Sequence, residues 1–141
     1  MKILIADDHA LFRDGLHYVL DELEEQAAIL EAVDLKHAIQ HVSTNPDLDL
    51  MLLDLNILGQ DRFEILHILT RAYPIIPVVI FSASNQDSDI QHSLDAGAMG
   101  YIPKDMRRTD MFNALRRVLA GHVYAPLDLS AEKQELDSLL L

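Results

Sequence analysis

The feature that most constrains the fold is a regular alternation between two hydrophobic periods along the chain. Five short apolar runs have the composition of buried strands, and each is followed by a stretch with apolar residues at helical spacing. Nearly continuous apolar strands separated by helices predict a parallel sheet with helices on both faces. The runs are 3–6, 28–33, 50–53, 78–81 and 99–102. We therefore expect an α/β fold with five βα units in a doubly wound, five-stranded parallel sheet.

The stretches between these runs predict five helices. Their apolar faces span residues 11–23, 35–42, 63–73, 87–96 and 111–119, and the fourth is the weakest because it carries few apolar side chains. Prolines at 46, 74 and 77 fall in connections that precede strands, where they interrupt helices harmlessly. Gly121 follows the last helix in the position of a C-terminal cap.

Length and composition exclude several classes of protein. The 141 residues suffice for one compact domain and are too few for two ordinary ones. The chain has no cysteine, which excludes disulfides, thiolate metal sites and thiol nucleophiles. The net charge of −12 disfavours direct binding to DNA phosphates and to anionic membranes.

The N-terminus and the apolar runs bear on localisation. No apolar run approaches the roughly 20 residues of a membrane span. The first strand leads directly into Asp7, without the apolar region and cleavage site of a signal peptide. We expect a cytoplasmic protein that does not associate with membranes.

Polar side chains follow several predicted strands at the point where each strand ends. These residues are Asp7, Asp8, Asp54, Ser82 and Lys104. Because sites in open α/β sheets form outside the carboxyl ends of the strands, we expect these side chains to converge. Closely spaced carboxylates repel one another, and a hard divalent cation such as Mg²⁺ compensates them with oxygen ligands. The carboxylate of Asp54 can then act as a nucleophile toward phosphorus, with Lys104 as a charge for a phosphate oxygen.

Each of these residues alone has a simpler explanation, as a turn residue, a helix cap or a solvated side chain. The evidence for a shared site is their joint order, with each residue at the end of its own strand.

The seven histidines lack the spacing of metal ligands, so we expect no histidine metal site. His9, next to the acidic pair, is expected to affect access to the site.

Four segments resemble the receiver domain of two-component response regulators. They are residues 5–9 (Ile-Ala-Asp-Asp-His), 52–56 (Leu-Leu-Asp-Leu-Asn), 80–83 (Ile-Phe-Ser-Ala) and 97–105 (Gly-Ala-Met-Gly-Tyr-Ile-Pro-Lys-Asp). The resemblance covers about residues 2–121 and is greatest to the NarL/LuxR-type branch. It implies a flavodoxin-like receiver fold with strand order 2-1-3-4-5.

The resemblance also implies roles for individual residues. Asp54 would accept a phosphoryl group from a sensor histidine kinase. The cofactor would be Mg²⁺, bound by Asp7, Asp8, Asp54 and the backbone carbonyl of Asn56. Ser82 and Lys104 would contact the phosphoryl group. Ser82 and Tyr101 would form a switch pair in which the hydroxyl moves toward the phosphoryl group and the ring turns inward. The expected response is a changed dimer or partner surface that controls transcription.

The loop after Asp54 departs from the family pattern. Leu58 stands where the family usually has proline and Arg62 where it has glycine, and we expect Arg62 to pair with Asp61 or Glu64. These changes keep open an alternative function, a phosphorylation-independent receiver that acts as a protein interaction module. A third class, a Mg²⁺-dependent hydrolase, fits less well because such phosphatases carry a second aspartate where this chain has Asn56. We therefore expect a phosphoacceptor with at most slow autodephosphorylation rather than an enzyme.

The composition changes after Gly121. We expect a receiver domain at residues 1–121, and at 122–141 a linker and the start of a truncated helix-turn-helix output domain. DNA binding would then require an output domain missing from this chain, and a homodimer is the expected assembly. The arginines at 107, 108, 116 and 117 make the last helix basic, as either a solvated face or a dimer face.

Overall fold

The computed structural model of the chain describes residues 1–126, in which strands and helices alternate. The five predicted βα units are confirmed, with small differences at their ends. The strands are β1 (Lys2–Ala6), β2 (Ala28–Ala32), β3 (Leu50–Asp54), β4 (Val78–Ser82) and β5 (Gly100–Pro103). The helices are α1 (Ala10–Leu23), α2 (Leu35–Thr44), α3 (Arg62–Ala72), α4 (Asp87–Asp95) and α5 (Arg108–Leu119).

The five strands form one parallel sheet in the order β2-β1-β3-β4-β5, which confirms the expected flavodoxin-like receiver topology. The register places Ala6 beside Leu53, Asp54 beside Phe81, and Ser82 beside Pro103. The carboxyl ends of β1, β3, β4 and β5 are therefore level with one another. The chain reverses its direction of winding between β1 and β3, where ligand sites form in such sheets.

Successive residues of each strand point to opposite faces of the sheet, so the strands supply two separate cores. One face packs against α2, α3 and α4, and the other packs against α1 and α5. This arrangement explains why the strands read as continuous apolar runs rather than as alternating ones. The first core includes Leu4, Leu53, Ile80, Leu66 and Ile90, and the second includes Ile5, Leu52, Phe81, Leu16 and Leu115.

The end of α5 matches the predicted glycine cap. Gly121 has φ +92°, its N–H donates to Val118, and the next N–H, of His122, donates to Arg117. This is the Schellman pattern that ends many helices. The chain then turns back along the free edge of β5, where Tyr124 donates to the carbonyl of Met99 and accepts from the N–H of Tyr101.

The first residues of the predicted 122–141 linker thus pack against the sheet. The predicted start of an output domain lies outside the described residues, from 127 onward. Among the described residues, no helix has the length and apolar character needed to cross a bilayer.

Candidate functional site

The predicted site residues meet at one edge of the sheet. Asp7 directly follows β1, Asp54 is the last residue of β3, Ser82 is the last residue of β4, and Lys104 directly follows β5. Because the strands are parallel and in close register, residues far apart in sequence lie side by side at this edge. The predicted convergence is therefore present, while the roles assigned to these residues stay predictions.

Asp54 is buried, with only 1% of its surface exposed. Its Oδ1 accepts a hydrogen bond of 3.2 Å from the N–H of Asn56, at the start of a 3₁₀ turn over Leu55–Leu58. Its Oδ2 has no hydrogen-bond partner among residues 1–126. Burial raises the pKa of Asp54, and this effect outweighs the opposing charge of Lys104 and the Asn56 hydrogen bond. The carboxylate is held in one orientation with one oxygen uncommitted.

Lys104 places its ammonium group between two of the aspartates. Its Nζ lies 2.8 Å from Oδ2 of Asp7 and 3.4 Å from Oδ2 of Asp54. Both carboxylate oxygens lack a partner with hydrogen-bond geometry, so these contacts are ionic rather than directional. The ammonium group also lies 4.9 Å from the centre of the Phe12 ring. One cation therefore balances only part of the negative charge of Asp7, Asp8 and Asp54.

The acidic pocket has the chemistry of a metal site. Oxygen atoms of Asp7, Asp8 and Asp54 and a ring nitrogen of His9 all lie within 4.8 Å of one another. Buried carboxylates without enough positive charge are costly, and a cation in this pocket would compensate those of Asp7 and Asp54. Carboxylate oxygens suit hard divalent cations. The carbonyl of Asn56 accepts from the N–H of Gly59 and keeps a second lone pair for a ligand.

Ser82 and Tyr101 are linked through the loop that follows β4. The Oγ of Ser82 accepts from the N–H of Ser84 at 3.0 Å, and the hydroxyl of Tyr101 donates to the carbonyl of Ser84 at 2.8 Å. The Tyr101 ring is completely buried, and burial raises the pKa of its hydroxyl. The ring thus already occupies the inward position that was expected only after phosphorylation.

Arg62 does not pair with Asp61 or Glu64 as expected. Its Nη2 lies 3.2 Å from Oδ1 of Asp89, and Oδ2 of Asp89 accepts from the hydroxyl of Ser84. Helical residues one or two positions apart do not face each other, which explains why the sequence neighbours are not its partners. Asp89 is nearly buried and attracts the guanidinium across from α3 to α4. The Leu58 side chain, in place of the family proline, is buried in the core.

His9 is the site residue that sequence reasoning underrated. Its Nδ1 lies 3.1 Å from Oδ1 of Asp7, 3.1 Å from Oδ1 of Asp8 and 2.9 Å from Nζ of Lys104. The only signal in the sequence was its position directly after the acidic pair. Histidine spacing carried no information, because the partners are carboxylates.

The comparisons with known proteins agree with this geometry. A family model described as the response regulator receiver domain matches residues 3–116. The chain is 40% identical over 128 residues to the glycerol metabolism activator of Pseudomonas putida, covering 91% of this chain and 58% of that protein. It is 34% identical over 121 residues to the nitrate/nitrite response regulator protein NarL of Escherichia coli K12, covering 86% of this chain and 56% of that protein.

Solved structures give the same result. A LuxR family DNA-binding response regulator from Silicibacter pomeroyi superposes with a TM-score of 0.77 and 28% identity, covering 89% of this chain and 97% of that structure. The relatives are thus response regulators of the NarL/LuxR type. The chain spans little more than half the length of the curated relatives that it matches.

Proposed function

Because this chain belongs to the response regulator receiver domain family, we propose that it is a phosphoacceptor signalling switch. Asp54 accepts a phosphoryl group from a phosphohistidine of a sensor histidine kinase. The observation that carries the proposal is the buried carboxylate of Asp54, with Oδ2 uncommitted and 3.4 Å from Nζ of Lys104. A nucleophilic oxygen and a phosphate-binding cation thus lie next to each other in one acidic pocket.

In the proposed transfer, Oδ2 of Asp54 forms a bond to phosphorus as the bond from phosphorus to the histidine nitrogen breaks. The product is an acyl phosphate, and the imidazole leaves as a neutral group after taking a proton. Asp7, Asp8, Asp54 and the carbonyl of Asn56 would hold Mg²⁺, which when bound would supply positive charge to neutralise the incoming phosphoryl oxygens. The hydrogen bond from Asn56 holds Oδ1 and leaves Oδ2 to react. Lys104 moves from the carboxylates to a phosphoryl oxygen.

The switch follows from the hydrogen bonds of the β4–α4 loop. A phosphoryl group brings close to two negative charges and strong acceptor oxygens to Asp54. The Ser82 hydroxyl donates to one of these oxygens and moves away from the N–H of Ser84. Because Tyr101 donates to the carbonyl of the same Ser84, the loop and the ring respond together. The surface formed by α4, β5 and α5 changes as a result.

The proposal extends to the whole response regulator. The receiver does not turn over substrate and loses its phosphoryl group only by slow hydrolysis. Phosphorylation promotes a homodimer, and the dimer controls transcription through a DNA-binding output domain. The net charge of −12 supports the assignment of DNA binding to another domain.

The test is phosphorylation of the full 141-residue chain by acetyl phosphate with Mg²⁺, measured by intact-mass spectrometry. We expect one phosphoryl adduct on the parent chain and none on Asp54→Asn. Asp61→Asn is the matched control, since Asp61 is exposed at the start of α3 and should keep the adduct. An unmodified parent chain, or the same adduct on Asp54→Asn, would contradict the proposal.

A phosphorylation-independent interaction module is the second candidate. The observation that favours it is the inward position of Tyr101, together with the Arg62–Asp89 pair that braces α4 against α3. This candidate requires the dimer surface to form without phosphate. Sedimentation equilibrium distinguishes the two: the module predicts equal dimer affinity for the parent chain and Asp54→Ala with acetyl phosphate, and the switch predicts weaker dimerisation of Asp54→Ala.

A further inference from the structure

The imidazole of His9 is partly exposed to solvent, and its Nδ1 faces the acidic pocket. Its Nδ1 lies 3.1 Å from a carboxylate oxygen of Asp7 and 3.1 Å from one of Asp8. The main chain of His9 is held beside the same Asp7 oxygen, because its N–H donates to that oxygen at 2.7 Å. We propose that His9 coordinates the bound cation through Nδ1, so that the pocket is a mixed oxygen and nitrogen site. This inference rests on the proposed function, since it concerns the cation of that same site.

The spacing of the donor atoms fits one coordination sphere. Neighbouring ligands of an octahedral ion with bonds of about 2.1 Å are about 3 Å apart. The two separations of 3.1 Å between Nδ1 and the carboxylate oxygens match that distance. The Asp54 oxygen also lies within 4.8 Å of the others. Nδ1 therefore lies at a separation from both carboxylate oxygens that would let all three atoms bind one ion.

The contacts of Nδ1 without a cation are mutually inconsistent. To interact with Asp7 and Asp8, Nδ1 must carry a proton and donate it, whereas the ammonium of Lys104 at 2.9 Å requires Nδ1 to accept. A single nitrogen cannot do both. A cation resolves the conflict, because it takes the Nδ1 lone pair and the carboxylate oxygens together.

A second observation points to a ligand in this pocket. Oδ2 of Asp7 and Oδ2 of Asp54 are buried, have no hydrogen-bond partner in the described part of the chain, and both face Lys104. One ammonium group cannot neutralise the three carboxylates of Asp7, Asp8 and Asp54. A divalent cation would supply the missing positive charge.

Nitrogen coordination changes the preference among metals. Mg²⁺ favours oxygen ligands and retains waters, whereas imidazole suits first-row transition ions such as Mn²⁺ and Co²⁺. The site should therefore bind Mn²⁺ more tightly than an all-oxygen pocket would. Removal of the imidazole should weaken Mn²⁺ binding by about tenfold, which is the lower end of the affinity losses seen when groups around a metal site are mutated. The affinity for Mg²⁺ should change much less.

The experiment loads the full chain with one equivalent of Mn²⁺ and records electron spin echo modulation from directly bound ¹⁴N. We expect the nitrogen signal in the parent chain, its loss in His9→Ala, and its retention in His67→Ala. His67 is the matched control because its side chain is exposed on α3. Titration calorimetry with Mn²⁺ and with Mg²⁺ on the same variants measures the change in selectivity.

Bound Mn²⁺ without a nitrogen signal in the parent chain would overturn the inference, and so would a signal that persists in His9→Ala. Phosphorylation of the same samples with Mg²⁺ separates this result from the proposed function. An adduct on Asp54 without nitrogen coordination rejects only the role of His9. The absence of both an adduct and metal binding rejects the proposed function as well.

Discussion

The ammonium group of Lys104 lies 2.8 Å from Oδ2 of Asp7, although the two residues are far apart in the sequence. The contact joins the end of β1 to the end of β5 across the edge of the sheet. It shows that the pocket is built from several strands rather than from one loop. The balance of charge within the pocket determines how the protein responds to mutation, to pH and to cations.

Replacement of Asp54 by asparagine should stabilise the metal-free protein at neutral pH. Burial raises the pKa of Asp54 above its ordinary 3.8, so the folded state binds this proton more tightly than the unfolded state does. The Asp54 carboxylate therefore costs stability as the pH rises from about 3.8 through the folded pKa. We expect Asp54→Asn to gain about 1–2 kcal/mol at pH 7, the scale of one unsatisfied buried group.

Urea denaturation in a chelating buffer, at several pH values between 4 and 7.5, measures this difference. The gain should shrink as the pH falls, because Asp54 becomes neutral in both states. Asp21→Asn, near the far end of α1, is the control and should show no such trend. A gain that is independent of pH would mean that the charge of Asp54 is not its cause.

A divalent cation should stabilise the fold through the same pocket. Mg²⁺ at about 100 times its dissociation constant adds about 2.7 kcal/mol to the free energy of unfolding. Thermal denaturation with Mg²⁺ and with chelator should show a higher Tm with the ion. Asp8→Asn should lose most of this rise, because Asp8 is expected to bind the ion and is exposed enough to be replaced safely. Equal rises in the parent chain and Asp8→Asn would place the ion elsewhere.

The Tyr101 hydroxyl should hold the loop after β4. Tyr101→Phe removes the hydrogen bond of 2.8 Å to the Ser84 carbonyl and should cost about 1 kcal/mol. Amide hydrogen exchange should become faster at residues 83–86, because the loop loses this hydrogen bond. Tyr18→Phe, at an exposed position on α1, is the control. Unchanged exchange in Tyr101→Phe would show that the ring alone, without its hydroxyl, fixes the loop.

The Arg62–Asp89 pair should couple α3 to α4. The side chain of Asp89 is only 12% exposed, so its charge depends on the guanidinium more than a surface carboxylate would. A double-mutant cycle with Arg62→Ala and Asp89→Asn, followed by urea denaturation, should give a coupling energy of about 1–2 kcal/mol. The exposed Lys2–Asp47 pair is the comparison and should give less than about 1 kcal/mol. Equal coupling for both pairs would contradict a special role for Arg62.

Two glycines should respond in opposite ways to alanine. Gly97 has φ +105°, and an added Cβ would lie 2.5 Å from Oγ1 of Thr70. Gly97→Ala should therefore destabilise the fold by about 2 kcal/mol or more. Gly15 lies within α1 with open space at its Cβ position, and Gly15→Ala should stabilise by about 0.5–1 kcal/mol. Urea denaturation of both variants measures the contrast, and equal effects would rule out the backbone explanation.

The sequence predicted the fold well because hydrophobic periodicity and proline positions are local signals. The five runs matched the strands, and Gly121 matched the end of the last helix. The order of polar residues at strand ends also predicted which side chains would meet. In a parallel sheet, the carboxyl ends of strands lie at one edge whatever the detailed packing, so Asp7, Asp54 and Lys104 had to lie near one another.

The partners of individual side chains depended on the tertiary structure. Arg62 pairs with Asp89 of another helix rather than with its acidic neighbours in the sequence. The Tyr101 ring packs inward against the loop after β4. The His9 ring turned toward Asp7 and Asp8, which its isolated position among the histidines did not suggest. Local sequence determines which backbone elements form. The choice of a side-chain partner depends on burial and on charges brought close by distant segments, and these exist only once the sheet and helices have packed.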